Sequence, residues 1–238
     1  MKMPFVLLVV MLIVSSHVYA ADAEYLLNHA ELTPTTTGIQ QCDQIVSSTL
    51  AQITNGQMTT YDKVKACYDY LIATCSYGHN QLSYNIPNGD FTNLTKLEGP
   101  MRAFGMLRNH VGVCDDYTCA FTALVRAIGL NCYTIGGLTA KANGGMTGHA
   151  WCVINVGGTE YVFDPQIDDN IAKGGPVGYY RFCKTYDEIP GAYGAGRKTF
   201  YFRPLFEGES VWSEDEVIPI GARPEPVQIG AAASIRKK

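Results

Sequence analysis

Apolar residues recur at helical spacing in two segments before residue 75. Residues Gln40 to Ile53 place four apolar side chains on one side of a predicted helix: Ile45, Val46, Leu50 and Ile53. Residues Tyr61 to Thr74 repeat this pattern more strongly, and Thr59 and Asp62 have the spacing of a capping box at the start of this segment. The pattern therefore predicts two consecutive helices.

A third amphipathic segment runs from about Cys114 to Ile128. Gly129 is suited to end this helix, because glycine readily adopts the left-handed backbone conformation. Cys119 falls on the side of the helix away from the predicted core. Six residues share the apolar face: Tyr117, Ala120, Phe121, Leu124, Val125 and Ile128.

Runs typical of β-strands follow the third helix. They cover Cys132 to Leu138, His149 to Val156 and Thr159 to Phe163, with later runs at Tyr179 to Cys183 and Lys198 to Phe202. Gly157-Gly158 separates the second run from the third and is typical of a two-residue hairpin. Because the links are hairpin-sized rather than helical, the predicted fold class is α+β, with a helical layer packed on an antiparallel β-sheet.

Residues 78–100 show neither the helical nor the strand periodicity and are rich in Asn, Gly and Pro. We therefore predict a long loop, and long loops in compact domains are often functional. Asn93-Leu94-Thr95 within it is an N-glycosylation acceptor pattern, which matters for an exported eukaryotic protein.

The first 20 residues have the layout of a secretory signal peptide. Lys2 precedes the uncharged apolar run of residues 5–14, and Val18 and Ala20 provide small residues at the −3 and −1 positions of a cleavage site. The run is too short to span a bilayer. We therefore expect a secreted protein with one domain at residues 21–218, followed by a flexible tail at residues 219–238 that contains Pro and a run of small residues.

Composition and charge exclude several classes of protein. Hydrophobic residues make up 47% of the chain and charged residues 17%, which does not fit a disordered chain. The formal net charge is −4, and it becomes −5 when Lys2 is removed with the signal peptide. A pI of about 5.7 does not fit a nucleic-acid-binding footprint, so no nucleic-acid partner is expected. No later stretch is apolar enough to span a membrane, so we expect no membrane span in the mature chain.

Eight cysteines in an exported chain lead us to expect disulfides. The even number would allow four of them. A structural zinc site is the alternative, but the chain has no Cys-x-x-Cys pair, and His29, His79, His110 and His149 are scattered.

Cys114 is the candidate nucleophile. It opens the third helix, where unpaired N–H groups and the helix dipole favour thiolate over thiol and could stabilise an oxyanion beside the sulfur. Asp115 and Asp116 suit the same helix start, but a carboxylate near the sulfur would disfavour the thiolate, so we expect both to point away from it.

His149 and Asp164 are the candidate base and its orienting carboxylate. His149 opens a strand eight residues before Gly157, and Asp164 lies six residues after Gly158. Antiparallel pairing across this hairpin brings the two residues close, with a small slip or bulge. There the carboxylate can fix the imidazole tautomer and stabilise the imidazolium.

Three neighbouring features are weaker candidates. Trp151 either lines the site or belongs to the core. Tyr84 is a weakly supported second donor to the oxyanion. Asp168-Asp169-Asn170 lacks the spacing of a calcium-binding loop and is interpreted as a polar turn.

The segments around Cys114, His149 and Asp164 together resemble the motifs of the transglutaminase-like superfamily. Residues 112–117 (Gly-Val-Cys-Asp-Asp-Tyr), with Ala120 and residues 124–129, are similar to its nucleophile motif. His149-Ala150-Trp151 resembles its histidine motif, and residues 161–165 (Tyr-Val-Phe-Asp-Pro) resemble its aspartate motif. The helix that begins at Tyr61 resembles the one that usually precedes these motifs. The resemblance covers about residues 59–169, and the three motifs in order are more specific than any one of them.

The resemblance implies a papain-like α+β fold with Cys114 as nucleophile, His149 as base and Asp164 as orienter. It implies an acyltransferase or a cysteine peptidase that acts on a protein or peptide substrate through a thioester, with an amine or water as acceptor and no metal or organic cofactor. A disulfide-stabilised extracellular binding module with a vestigial triad is the alternative.

Two features depart from the family pattern. Cys152 stands where the residue after His-Ala-Trp is often polar, and the cysteine content is high. If Cys114 must stay a free thiol, the remaining seven cysteines allow at most three disulfides. Cys119 is then the preferred bridge member, whereas Cys152 faces away from His149 on its strand.

Overall fold

A computed structural model describes residues 23–78 and 91–199, with the isolated pairs 210–211 and 227–228. For residues 91–97, 195–199 and the two pairs, only the backbone is described. The predicted signal peptide, most of the predicted tail, Tyr84 and residues 200–202 of the last predicted strand lie outside the described residues, so these predictions stay untested.

Five helices in the described residues, numbered α1 to α5, form one layer of the molecule. They are α1 (Gln40–Ile53), α2 (Thr60–Thr74), α3 (Phe91–Asn109), α4 (Cys114–Ile128) and α5 (Pro165–Ala172). Residues 23–28 form a further helical segment, and Tyr186–Glu188 is a single 3₁₀ turn. The predicted bounds of α1 and α4 are confirmed, and α2 begins one residue before its predicted start. Thr59 and Asp62 form the predicted capping box, and Gly129 ends α4 in the left-handed conformation at φ 116°.

The described residues also contain nine short or medium strands. They are β1 (Ser76–Tyr77), β2 (Val111–Gly112), β3 (Cys132–Ala140), β4 (Met146–Val156), β5 (Thr159–Phe163), β6 (Phe182–Lys184), β7 (Tyr193–Thr199), β8 (Ser210–Val211) and β9 (Val227–Gln228). Strands β3 to β7 form one antiparallel sheet in the order β6-β5-β4-β3-β7. The predicted α+β fold class is confirmed, with α4 packed on an antiparallel sheet.

The two faces of the sheet are buried differently. Alternate residues of β4 point to opposite sides, so Cys152 and Ile154 join the large core under the helices while Trp151 and Val153 join a smaller cluster on the other face. Strand β4 holds the centre of the sheet, and the Gly157-Gly158 turn that ends it has φ of +59° and +77°, as a two-residue hairpin requires. Near its start, β4 pairs with β3, where His149 lies opposite Gly137.

Helix α3 was not predicted, since residues 78–100 were interpreted as a loop. Its backbone is helical from Phe91 and continues through Pro100. Ala103, Met106 and Leu107 are buried against the core, so tertiary packing outweighs the helix-breaking Gly99-Pro100 pair. The acceptor pattern at Asn93 therefore begins within a helix rather than within a loop.

The cysteine predictions are wrong in two respects. All eight cysteines are free thiols, so the structure contains none of the expected disulfides. Cys119 is fully buried rather than off the core, because α4 is covered on one side by the sheet and on the other by α2 and α3. Cys152 is also buried, and its thiol lies 3.3 Å from the carbonyl oxygen of Thr118 on α4, which agrees with its predicted orientation.

Candidate active site

The turn before α4 positions Cys114. Strands β1 and β2 pair in parallel, with Tyr77 opposite Gly112, and Cys114 follows two residues later as the first residue of α4. A Cβ at Gly112 would lie 2.5 Å from Cβ of Asp116 and 2.7 Å from Sδ of Met106, distances that real structures do not allow. Glycine therefore lets the chain pass close to the helix and places the half-exposed thiol at its N-terminus.

Asp116 holds this turn together. One of its carboxylate oxygens accepts the backbone N–H of Val113 at 2.9 Å, and the other accepts Arg102 Nη1 at 3.1 Å. Arg102 is held in turn by Glu98, one helical turn earlier on α3. A carboxylate at the start of a helix that also pairs with a cation is doubly stabilised. Asp116 thus points away from Cys114, as expected.

Asp115 behaves differently from the prediction. Its Oδ1 lies 3.9 Å from the Cys114 sulfur, so this carboxylate faces the thiol instead of pointing away. The prediction failed for Asp115 because only Asp116 is needed to cap the turn. The Asp115 carboxylate therefore remains beside the Cys114 sulfur.

Strands β4 and β5 bring His149 and Asp164 together. Their ladder is regular from Cys152 opposite Phe163 to Val156 opposite Thr159, so the predicted bulge in this hairpin is absent from the pairs described. Continued in the same register, Asp164 would lie opposite Trp151, which leaves His149 on the diagonal. The two side chains close the remaining gap themselves, with Nε2 of His149 2.7 Å from Oδ2 of Asp164.

The Asp164 carboxylate is buried and fully engaged. Only 1% of its side chain is exposed, and its Oδ1 accepts the backbone N–H of Ile167, which makes it the N-cap of α5. Its Oδ2 accepts both His149 Nε2 and the hydroxyl of Tyr193, each at 2.7 Å. Three donors on one carboxylate hold it in one orientation.

The protonation of His149 follows from these neighbours. Because an ionised carboxylate only accepts hydrogen bonds, Nε2 carries a proton and Nδ1 is the ring nitrogen left for the Cys114 thiol, to which the imidazole is also hydrogen-bonded. Burial by itself would lower the pKa of His149. The Asp164 carboxylate, with a smaller contribution from Cys114, instead raises this pKa to about 10. The imidazole is therefore held in its charged form near neutral pH.

The segment after Asp164 is a helix and not the polar turn that was predicted. Asp168 and Asp169 lie on α5, where the hydroxyl of Tyr68 is 2.7 Å from Oδ2 of Asp168 and the hydroxyl of Tyr117 donates to Asp169 at 2.7 Å. Tyr68 also lies 2.9 Å from the carbonyl oxygen of Asp164. These bonds attach α5, and with it the carboxylate of Asp164, to α2 and α4.

Trp151 both lines the site and belongs to the core. It is fully buried, and its ring stacks near His149 with centroids 6.3 Å apart. Its other neighbour is Tyr193, at 4.4 Å between ring centroids, and its indole N–H donates to the hydroxyl of Tyr186. Trp151 therefore connects the region of His149 to the aromatic cluster around Tyr193.

The structure thus brings the three predicted residues into one chain of contacts, while their catalytic roles remain predictions. Neither Tyr193 nor the contact between Asp115 and the Cys114 thiol was identified from the sequence. Tyr193 is one of fifteen tyrosines and lies 29 residues after its partner Asp164, so no local pattern distinguishes it. The helix cap formed by Asp164 could have been predicted from the sequence, because Asp followed by Pro is a common helix start.

Other kinds of site have little support in the part of the chain that is described. Within residues 23–78 and 91–199, no three His, Cys, Asp or Glu side chains are grouped as metal ligands. None of the helices described is both long and apolar enough to cross a membrane.

The chain matches solved structures that are distant from it in sequence. A proposed cysteine protease from Cytophaga hutchinsonii is 20% identical over 56% of this chain and 39% of its own, with a TM-score of 0.37. A structure described as a TGase is 16% identical over 61% of this chain and 32% of its own, with a TM-score of 0.35. The chain thus spans less than half the length of either protein, and similarities this low carry no functional argument. No curated protein sequence matches the chain.

The family comparison is more informative. The family model of the transglutaminase-like superfamily matches residues 47–165, which is half of the chain and includes Cys114, His149 and Asp164. The match ends one residue after Asp164, so it spans α2 to β5 together with the turn that positions the nucleophile. The chain belongs to the transglutaminase-like superfamily.

Proposed function

We propose that this chain is a secreted thiol enzyme that transfers an acyl group from a glutamine carboxamide or peptide amide through a thioester. One observation carries the proposal: His149 contacts the Cys114 thiol on one side and the buried Asp164 carboxylate on the other. A nucleophile, a base and an orienting group in hydrogen-bonded series are what nucleophilic catalysis requires.

In the first half of the reaction, the proton of the Cys114 thiol already resides on Nδ1 of the charged His149, and the resulting thiolate attacks the amide carbon. An S–C bond forms, and the carbonyl oxygen becomes an oxyanion beside the first turn of α4. The N–H groups of that turn have no intrahelical acceptors, so they are suited to stabilise it. The C–N bond then breaks, and the imidazolium returns its proton to the departing nitrogen.

In the second half, an acceptor attacks the thioester and the thiolate leaves. An amine acceptor gives a new amide and makes the enzyme a crosslinking acyltransferase, whereas water gives a carboxylate and makes it a peptidase or deamidase. His149 takes the acceptor's proton in either case. Both outcomes share the first half-reaction, so the acceptor has to be identified by experiment.

Export is part of the proposal and has its own support. Residues 1–20 have the charge, apolar run and small residues of a signal peptide, and Ala23 and Leu27 immediately after them are buried in the core. N-terminal sequencing of protein collected outside the producing cell should begin at Ala21. A chain that stays inside the cell and keeps Met1 would contradict export.

Thiol labelling tests the nucleophile directly. We expect iodoacetamide near neutral pH to modify Cys114 in the native protein, since its thiol is accessible and bonded to an imidazole. The other seven cysteines are buried and provide an internal control. Burial raises the pKa of Cys75 to about 11 and those of Cys42 and Cys183 to about 12, and it raises the pKa values of Cys67, Cys119 and Cys152 still further.

Peptide mapping of the adducts gives the result. Selective labelling of Cys114, with all eight sites modified after unfolding, would support the enzyme. An unreactive Cys114 in the folded protein would instead favour an extracellular binding module with a vestigial triad. Incorporation of a labelled amine into a glutamine-containing protein, compared with peptide cleavage, then distinguishes transfer from hydrolysis.

A further inference from the structure

A tyrosine shares the carboxylate oxygen that orients the proposed base. The hydroxyl of Tyr193 donates to Oδ2 of Asp164 at 2.7 Å, and His149 Nε2 lies at the same distance from the same oxygen. Tyr193 is 3% exposed and begins β7, paired with Thr139 of the neighbouring strand. Its position is therefore fixed by the sheet and does not depend on a flexible loop.

The hydroxyl of Tyr193 is a permanent donor. Burial raises the pKa of Tyr193 well above its usual range, and the adjacent Asp164 carboxylate raises it further. Its ring packs against Trp151 at 4.4 Å and edge-on to Tyr186 at 6.1 Å between centroids, while the Arg181 guanidinium lies 5.7 Å from the ring centroid. These contacts leave the hydroxyl aimed at Asp164.

Sharing the oxygen has an electronic consequence. Two donors at one oxygen compete for its electron density, so the bond from Tyr193 weakens the bond that Asp164 makes to His149. The other oxygen of Asp164 is occupied by the Ile167 N–H and cannot compensate. The groups that face Tyr193 and Asp164 from the surrounding elements are Tyr68, Cys114, His149, Asp168, Arg181 and Tyr186.

We propose that Tyr193 is a positioning residue that acts on His149 through Asp164: it fixes the carboxylate and limits its pull on the imidazolium proton. The inference rests on the proposed thiol chemistry. Limiting this pull makes it easier for His149 to give its proton to the departing nitrogen. Tyr193 touches neither the nucleophile nor the reacting amide.

The test is the pH dependence of single-turnover release of the amide nitrogen from a glutamine-containing substrate by Tyr193→Phe. This release needs the imidazolium to protonate the departing nitrogen, so it should decline in the wild type near pH 10, where His149 loses its proton. Removing the hydroxyl should move this decline upward by roughly half a unit to one unit, the scale of a single hydrogen bond. The ¹H resonance of the His149 Nε2 proton should move downfield, because its bond to Asp164 becomes stronger.

Tyr186→Phe is the matched control, because Tyr186 packs in the same aromatic cluster and bonds Trp151 without touching Asp164. It should leave the pH profile unchanged. If Tyr193→Phe fails to fold, 3-fluorotyrosine at position 193, a stronger donor of nearly the same shape, should move the decline to lower pH.

The outcomes separate the two proposals. A reactive wild-type Cys114 with identical profiles and resonances in the position-193 variants would overturn the role of Tyr193 alone. A wild-type Cys114 that is unreactive at neutral pH would overturn the proposed function.

Discussion

Replacing Cys114 by alanine should reduce both amine incorporation and amide hydrolysis by at least about 10⁴-fold. The loss is expected because the S–C bond of the thioester cannot form without the sulfur. Alanine is well tolerated near the start of a helix, and Asp116 still caps the turn through Val113, so the fold should survive. Single-turnover assays with a glutamine-containing protein and a labelled amine measure the effect.

Cys75→Ala is a suitable control for this experiment. Cys75 is also a free thiol near a histidine, with its sulfur 3.9 Å from Nδ1 of His110, but it is only 8% exposed. Activity should persist in Cys75→Ala. Activity at the wild-type level in Cys114→Ala would contradict the mechanism.

Replacing Asp164 by asparagine should lower kcat by about 10²–10⁴-fold, and His149→Ala should abolish activity as Cys114→Ala does. Asparagine removes the negative charge that raises the pKa of His149, so the imidazole loses its proton at lower pH and is less often charged near neutrality. Because asparagine caps helices about as well as aspartate, α5 should keep its start, and the loss can be assigned to charge rather than to unfolding.

Asp164→Ala is less informative, since it also removes the bond to the Ile167 N–H and should cost about 1 kcal/mol of stability. The control is Asp62→Asn, which changes a helix-capping aspartate at the start of α2, outside the site. Comparing kcat and unfolding midpoints of the three variants separates the two effects. Unchanged kcat in Asp164→Asn would show that the carboxylate does not act on His149.

Local chemistry determined much of this protein from its sequence. The helical period predicted α1 and α4 to the residue, because each packs an apolar stripe against the core, and Gly129 marks the end of α4. Two glycines predicted the hairpin between β4 and β5, since both turn positions require positive φ. The hairpin in turn placed His149 near Asp164.

Packing decided what the local pattern could not. Residues 91–109 carry helix-breaking Gly99 and Pro100, yet burial of one face against the core makes them helical. Cys119 lies on the polar side of its helix by the wheel, but layers on both sides of α4 bury it. A helical wheel describes one helix in isolation, whereas the burial of its residues depends on the other helices and strands that pack against it.

The sequence by itself determined the fold class, the order of the three motifs and the closeness of His149 to Asp164. The helical and strand periods depend on residues within one element, and the closeness of these two residues depends on one tight turn. The contact of His149 with Cys114 joins β4 to α4, and only the resemblance to the family implied it. Only the tertiary structure decided that Asp115 faces the thiol, that the eight cysteines are free and that Tyr193 shares an oxygen with His149. The last contact joins residues 29 positions apart through the pairing of β3 with β7, and side-chain contacts at that range are set by how strands assemble rather than by any local periodicity.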